Sequence, residues 1–232
     1  MDLTAVYRDK SASVLPRVTL SVTHFAIVSV VLWLLFGGGI AVVDGIVGSS
    51  PSFGSLLRRV GLAAAAVFYA LRTLLTLFGF YRRRLPWSEA VTIAIWIGII
   101  DILFAWFGGR NEATVGTREL IGGCLVVIGS LINTGSEWQR HAWKRRPGNA
   151  GHLLTKGLWS VARHINYFGD VVLFSGWALL TGSLIFLVVP ALILLLFAVL
   201  NVPAQDRYLA ERYGEEYRAY ERRTARLIPY LY

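Results

Sequence analysis

Long apolar segments alternate with short polar and charged segments over most of the chain. A helix needs about 20 mainly apolar residues to cross the hydrocarbon of a bilayer. Six segments approach or exceed this length once the last long apolar stretch is divided at the turn-like triplet Thr181-Gly182-Ser183. They are 18–43, 60–80, 87–107, 120–135, 167–180 and 184–202. The pattern predicts an all-α, polytopic membrane bundle of about six transmembrane helices, in one domain over residues 1–232.

Composition supports this prediction. The chain has 232 residues, of which 55% are hydrophobic and only 16% charged, and its mean hydropathy is +0.56. Soluble globular proteins carry about a quarter charged residues, so the composition excludes that class. The single cysteine, Cys124, lies in an apolar stretch, and the four histidines are scattered. We therefore expect neither a disulfide framework nor a metal centre.

Basic residues are distributed unequally between the loops. With both termini cytoplasmic, 18 Lys and Arg residues fall on the cytoplasmic side and four on the other: Arg58, Arg59, Arg110 and Arg118. Cytoplasmic loops collect positive charge, so we predict cytoplasmic N- and C-termini and, in a bacterium, the inner membrane. Segments 136–166 and 203–232 would then face the cytoplasm. We expect membrane lipids as partners and no nucleic acid, and the sequence leaves the oligomeric state open.

A polar stripe begins where the fourth span ends. Asn133, Glu137, Arg140 and Lys144 follow one another at steps of four, three and four, which places them on one face of a helix. Such a stripe could be a self-satisfied surface network. It would also suit a ligand with hydroxyl groups at one end and phosphates at the other, because carboxylates and amides accept from hydroxyls while Arg and Lys bind phosphate.

Two polar residues lie one helical turn apart inside the second span. Tyr69 and Arg72 occur in the sequence FYALRT, at a depth where charge is costly and commonly functional. Structural alternatives are an interfacial aromatic for Tyr69 and snorkelling of Arg72 to the membrane surface. A phenol beside a cation is also a good hydrogen-bond donor to a carbonyl. Asp101, in the third span, is expected to pair with Arg72.

The C-terminal segment YLAERYGEEYRAYERRTARLIPYLY alternates Arg and Glu among tyrosines. Its pattern is amphipathic and predicts a C-terminal helix lying on the cytoplasmic membrane surface.

Four motifs in order along the chain carry a family resemblance. GLWSVARHINYFGD (157–170) resembles the signature of the steroid 5α-reductase C-terminal family, FYALRT resembles its Tyr-x-x-Arg-Thr element, INTGSEWQR (132–140) resembles its Asn- and acid-containing helix, and LIPYLY resembles its C-terminal ending. Ile165 stands where that family has Pro, Asp170 stands where it has Glu, and the Glu that partners the substrate tyrosine has no clear counterpart. These departures bear on the substrate more than on the fold.

The resemblance implies a function and a site. It implies hydride transfer from NADPH to the C=C bond of an α,β-unsaturated carbonyl in a steroid or other lipid that enters from the bilayer. Tyr69 would bind the substrate carbonyl, with Arg72 beside it as the second catalytic residue. The residues that the resemblance implies around the dinucleotide are Asn133, Glu137, Arg140, Lys144, Arg145, Arg163, His164, Asn166, Tyr167, Asp170 and Arg207.

Two other functions stay open at this point. The isoprenylcysteine and phospholipid methyltransferases share this type of membrane fold, a related RHPxYxG segment and a tail similar to RYGEEYRAY, and they use S-adenosylmethionine. Asn166 and the INTGSEWQR segment favour the reductases, whereas the tail and the missing Glu favour the methyltransferases. A membrane protein that binds nucleotide or lipid without turnover is the third possibility.

Overall fold

The chain forms a helical bundle, described here from a computed structural model that covers residues 13–81 and 83–232. Within those residues there is no named strand. Of the basic residues used to predict sidedness, Arg8, Lys10 and Arg82 lie outside the described part. The α-helices are α1 (Val14–Phe36), α2 (Gly39–Val47), α3 (Leu56–Leu75), α4 (Trp87–Arg110), α5 (Thr117–Lys144), α6 (Ile165–Leu180), α7 (Val188–Leu196), α8 (Val202–Tyr213) and α9 (Glu215–Glu221).

Among the described residues, five continuous helical segments are long and apolar enough to cross a membrane, and α6 is a sixth, shorter apolar helix. Two of the long segments contain π-helical turns, Thr76–Phe80 after α3 and Phe197–Asn201 between α7 and α8. α6 has 16 residues and spans about 24 Å, somewhat less than the hydrocarbon thickness. Large apolar side chains such as Leu131 and Ile185 are exposed along these helices. The all-α membrane bundle is confirmed, and the chain is an integral membrane protein.

The boundaries differ from the prediction in two places. The first span was predicted over 18–43, but α1 ends at Phe36 and α2 begins at Gly39. Gly38 has a φ of +82°, which L side chains rarely adopt, so the run of three glycines breaks the helix there. The fourth span, predicted over 120–135, belongs to a longer helix that continues to Lys144. The predicted turn is confirmed, because Gly182 has a φ of +77° and α6 ends just before it.

Glycines bring α5 and α6 into close contact. A Cβ atom on Gly129 would lie 2.3 Å from the backbone nitrogen of Leu173, and one on Gly169 would lie 2.6 Å from the backbone nitrogen of Asn133. Gly122 and Gly176 face each other in the same way further along the pair. Small residues at such spacing let helix backbones approach closely in a membrane. The contact sets the register in which polar residues of α5 and α6 meet.

A polar network closes the bundle end at the start of α5. Arg58 donates to Glu119 at 2.8 Å and to the backbone carbonyl of Asn111 at 2.5 Å. Arg118 donates to the carbonyl of Gly182 at 2.7 Å, and Arg110 lies 3.2 Å from Asp44. The basic residues assigned to the non-cytoplasmic side therefore have structural partners at one end of the bundle. The orientation of the termini stays a prediction.

Candidate active site

An ion pair connects the second apolar helix to the signature segment. Nη2 of Arg72, on α3, lies 2.6 Å from Oδ1 of Asp170, on α6. Their side chains are 10% and 18% exposed, so the pair lies mostly out of water. The expected pairing of Arg72 with Asp101 is wrong, because the polar neighbour of Asp101 is His24, at 3.8 Å. The two aspartates were equally available in sequence, and the packing of α6 against α3 decides between them.

Tyr69 lies in an aromatic cluster beside this ion pair. The Arg72 guanidinium carbon lies 5.4 Å from the centroid of the Tyr69 ring, so the two predicted catalytic residues are in contact as their spacing implied. The rings of His24, Phe174 and Trp177 lie 5.1, 5.2 and 5.8 Å from the Tyr69 ring, each edge to face. Residues from α1, α3 and α6 therefore converge on one phenol.

The polar stripe of α5 is bonded to the signature segment through amide groups. Nδ2 of Asn133 donates to the backbone carbonyl of Asn166 at 2.9 Å, and Nδ2 of Asn166 donates to Glu137 at 3.1 Å. Glu137 is paired in turn with Arg140, whose guanidinium lies over the ring of Trp159 at 5.2 Å. Three of the four stripe residues therefore share a face, as predicted, and the fourth, Lys144, lies 3.5 Å from the Tyr213 hydroxyl.

Several buried polar atoms in this region make no hydrogen bond within the described chain. They are Oδ1 of Asn133, Oδ1 of Asn166, and Nε and Nη1 of Arg72. Leaving such groups unpaired costs free energy, so they mark places where a polar ligand would be bound. Two amide acceptors, a carboxylate and nearby cations match the hydroxyl, carboxamide and phosphate groups of a dinucleotide. The residues present therefore fit the cofactor that the resemblance implies.

Arg163 and His164 have partners in the C-terminal segment. Arg163 Nη1 lies 2.7 Å from both the Tyr217 hydroxyl and Glu221. His164 lies 2.7 Å from Oδ1 of Asp206, which also accepts from the Tyr217 hydroxyl at 2.5 Å. The backbone nitrogens of Arg163 and His164 donate to the carbonyls of Ala225 and Arg226. The tail thus holds the signature segment in place.

The tail is helical, as predicted, in α8 and α9, and one of its faces is buried against the signature segment, while its position on the membrane surface stays a prediction. Tyr217, Tyr220 and Leu227 are 1%, 2% and 0% exposed, and the Tyr220 hydroxyl donates to the backbone carbonyl of Trp159. Burial raises the pKa of Tyr217 well above its usual value, and the hydrogen bond to Asp206 raises it further. The phenol therefore stays protonated as a donor. Asp206, which the sequence reasoning missed, receives these bonds together with one from Arg226 at 2.8 Å.

The remaining predicted site residues lie around the edge of this region. Tyr167 is stacked between two rings, with His164 at 5.8 Å and Phe197 at 4.5 Å. Phe197 opens the π-helical turn that precedes α8, and such turns are frequent at functional sites. Lys144, Arg145 and Arg207 are exposed. The structure gives Arg145 and Arg207 no contact with the Asn133 and Glu137 cluster.

A known protein family matches the part of the chain that contains most of this site. The profile of a family described as "Protein of unknown function (DUF1295)" matches residues 87–224, which contain the stripe, the signature segment and Asp206. The chain belongs to this family. The family's description assigns no activity, but the names of individual relatives do.

Two relatives have names that specify steroid chemistry. The chain is 29% identical over 153 residues to a "Delta(14)-sterol reductase" of Arabidopsis thaliana, covering 60% of this chain and 41% of that protein. It is 33% identical over 117 residues to "3-oxo-5-alpha-steroid 4-dehydrogenase 1" of Bos taurus, covering 49% of this chain and 42% of that protein. The resemblance to steroid 5α-reductase-like membrane proteins is confirmed. The matched segments span about two fifths of each relative's length.

A third relative belongs to the other enzyme class. The chain is 33% identical over 89 residues to a "Probable O-methyltransferase ustE" of Ustilaginoidea virens, covering 38% of this chain and 31% of that protein. This match is shorter than the two reductase matches. The methyltransferase alternative therefore stays open.

Proposed function

We propose that the protein is a membrane-embedded, NADPH-dependent reductase that adds hydride to the C=C bond of an α,β-unsaturated carbonyl in a steroid or other lipid. The observation that carries the proposal is a continuous polar track from Tyr69 to Arg140. Arg72 contacts Tyr69 and pairs with Asp170. Asn166, one turn before Asp170 on α6, bonds to Glu137, which pairs with Arg140. This track connects a phenol within the bundle to the basic loop region.

The residues of the track and the cations at the end of α5 differ in chemistry. Asn133, Asn166 and Glu137 offer acceptors for ribose hydroxyls and a carboxamide, and the unpaired Arg72 atoms offer donors. Lys144 and Arg145, at the end of α5, provide cations suited to phosphates. NADPH, when bound, supplies the hydride, and the protein supplies orientation and a site screened from water.

In this proposal, Tyr69 acts on the substrate carbonyl. Its hydroxyl would donate a hydrogen bond to the carbonyl oxygen, on which negative charge builds as the β-carbon accepts hydride. A donor whose bond strengthens as charge develops lowers the barrier by about 3 kcal/mol. Arg72 packs against the Tyr69 ring, and Asp170 fixes the position of Arg72. Proton addition at the α-carbon then completes the saturated product.

An apolar groove lies on the lipid-facing side of α3. It has a volume of about 500 Å³, lies between α1 and α3, and is lined by apolar residues that include Phe36, Ala63, Val67 and Leu71. The groove suits an apolar lipid, whereas Tyr69 lies on the opposite face of α3, in the aromatic cluster. The name of the bovine relative, which specifies a 3-oxo steroid, supports an enone as the substrate class.

The competing proposal is a methyltransferase that uses S-adenosylmethionine, favoured by the O-methyltransferase relative. A thermal melt of the detergent-purified protein separates the two. A ligand that binds only the folded state at 100 times its Kd stabilises by about 2.7 kcal/mol. We expect NADPH to raise the Tm and S-adenosylmethionine to leave it unchanged. The reverse result would replace the reductase by the methyltransferase, and no shift with either would favour a binding protein without this chemistry.

A further inference from the structure

A second buried polar cluster lies beside Tyr69. His24, on α1, and Asp101, on α4, are each 1% exposed. Nε2 of His24 lies 3.8 Å from Oδ2 of Asp101, which is too long for a hydrogen bond. The His24 ring meets the Tyr69 ring edge to face at 5.1 Å. Neither residue belongs to the polar track that would bind the dinucleotide.

The hydrogen-bonding groups of this cluster are unpaired. Both ring nitrogens of His24, both carboxyl oxygens of Asp101 and Nε1 of Trp177 are buried and make no hydrogen bond within the described chain. Trp177, at 1% exposure, also packs against Tyr69. Three residues from three different helices thus carry five unpaired buried polar atoms, and the rings of two of them, His24 and Trp177, contact Tyr69. A structural pair would close to hydrogen-bonding distance, because each orphaned buried group destabilises the fold.

We infer that His24 and Asp101 bind an oxygen function on an otherwise apolar lipid, and that Tyr69 lies beside that bound group. A neutral imidazole has one donor and one acceptor, and a carboxyl group has an acceptor oxygen in either protonation state. A ligand oxygen beside them can accept from His24, and a hydroxyl can also donate to Asp101. The ligand is neutral, because a charged group in this buried apolar region would be strongly unfavourable. Carbonyl and hydroxyl lipids share this chemistry.

This inference rests on the proposed function for the ligand class, a neutral lipid from the bilayer, but not for hydride transfer. It is therefore tested by equilibrium binding without cofactor. The probes are a 3-oxo-Δ4 steroid, the matching 3-hydroxy steroid and the 3-deoxy analogue that lacks the oxygen. Binding is measured to wild-type protein, His24→Phe, Asp101→Leu and the control Asp44→Leu. Asp44 is a buried aspartate whose partners are Trp106 and Arg110.

Wild-type protein should bind the two oxygenated steroids about tenfold more tightly than the deoxy analogue, as one net hydrogen bond requires. His24→Phe keeps an aromatic ring against Tyr69 and should remove that preference while leaving affinity for the deoxy analogue unchanged. Asp101→Leu should reduce the preference most for the hydroxy steroid, since leucine has no oxygen that could accept from the hydroxyl. Asp44→Leu should retain the full preference. Because each protein is compared across three ligands, a general loss of stability cannot imitate this pattern.

Three results would overturn the inference: equal binding of all three probes by wild-type protein, no binding of any probe, or an oxygen preference that survives in His24→Phe and in Asp101→Leu. Should His24→Phe fail to fold, Asp101→Leu decides alone. Oxygen-dependent binding that needs His24, without NADPH oxidation by any enone, would support this site and reject the reductase. NADPH-dependent turnover, together with an oxygen preference that does not depend on His24 or Asp101, would support the reductase and reject this site.

Discussion

Asp170 lies 2.6 Å from Arg72 although 98 residues separate the two in sequence. Their ion pair joins α3 to α6 and places the GLWSVARHINYFGD segment next to Tyr69. The pair is mostly buried, so each charge depends on the other for compensation. The arrangement of the candidate active site therefore depends on a contact between two transmembrane helices.

Asp170→Asn should destabilise the protein strongly. Removing one partner leaves the Arg72 charge buried without compensation, which costs about 3 kcal/mol. The matched control is Glu215→Gln, since Glu215 pairs with Arg218 at 3.0 Å in a pair that is 78% and 64% exposed. That change should alter stability by about 0.5 kcal/mol or less. Denaturant titration of both variants in mild detergent measures the difference, and equal small effects would show that the Arg72–Asp170 pair is not structurally important.

Gly129→Ala should separate α5 from α6. The added Cβ would lie 2.3 Å from the backbone nitrogen of Leu173 and 2.5 Å from the carbonyl oxygen of Gly169, so the backbones must move apart at a cost of about 1–3 kcal/mol. Gly123→Ala, on the same helix, meets nothing within 4 Å and should be neutral or slightly stabilising. Thermal melts of the two variants test this. Similar Tm values would contradict the close helix contact.

Tyr217→Phe should loosen the C-terminal segment. The change removes the buried hydroxyl that bonds to Asp206 and Arg163, at a cost of about 1–3 kcal/mol. Tyr230→Phe is the control, because Tyr230 is 84% exposed. Limited proteolysis should cut the tail of Tyr217→Phe faster than that of wild-type protein or the control. Equal cleavage rates would mean that the tail does not depend on this hydroxyl.

The raised pKa of Tyr217 predicts how docking of the tail depends on pH. Burial and the Asp206 hydrogen bond raise the pKa of Tyr217 above the ordinary value of 10.0. Below pH 10 the phenol is protonated in both folded and unfolded states, so its contribution to stability is fully present. As the pH rises above 10, the unfolded state loses the proton first and that contribution is lost. The wild-type Tm should therefore fall more steeply than that of Tyr217→Phe between pH 9 and 11, and parallel curves would contradict this.

Recognition of the NADPH 2′-phosphate is predicted at the cationic end of α5. Lys144 and Arg145 are exposed at the end of α5, where the phosphate of a bound dinucleotide can reach them. Lys144→Ala or Arg145→Ala should weaken NADPH binding by about 1.5–3 kcal/mol and leave NADH binding nearly unchanged, since only NADPH carries that phosphate. Titrations with both cofactors compare these variants with Arg222→Ala, an exposed residue of the tail. Equal losses for NADPH and NADH would mean that the cluster only attracts anions or fixes topology.

Local relationships were predictable from sequence, and contacts between distant segments were not. The stripe of Asn133, Glu137 and Arg140 and the contact of Tyr69 with Arg72 follow from helical periodicity. The partner of Arg72 was predicted wrongly as Asp101 instead of Asp170, because periodicity says nothing about which helices are neighbours. The break near Gly38 was foreseeable, since three consecutive glycines weaken a helix.

The sequence does not show which surface the amphipathic tail packs against. An amphipathic pattern identifies a helix with two different faces, but a membrane surface and a protein surface satisfy it equally. Tyr217 and Tyr220 are buried against the signature segment, and Asp206 accepts bonds from residues both before and after it in sequence. Only tertiary packing identifies Asp206 as the centre of that network.

The most direct test of the reductase proposal follows the hydride itself. Wild-type protein and Tyr69→Phe are incubated in lipid bilayers with a 3-oxo-Δ4 steroid and NADPH in which both hydrogens at nicotinamide C4 are deuterium, and the products are analysed by mass spectrometry. The account predicts a 4,5-dihydro product with one deuterium at the β-carbon, formed about 100-fold to 1000-fold more slowly by Tyr69→Phe with unchanged NADPH affinity. An undeuterated or unchanged steroid from folded, NADPH-binding wild-type protein would contradict the account, and wild-type turnover by Tyr69→Phe would remove Tyr69 from the mechanism.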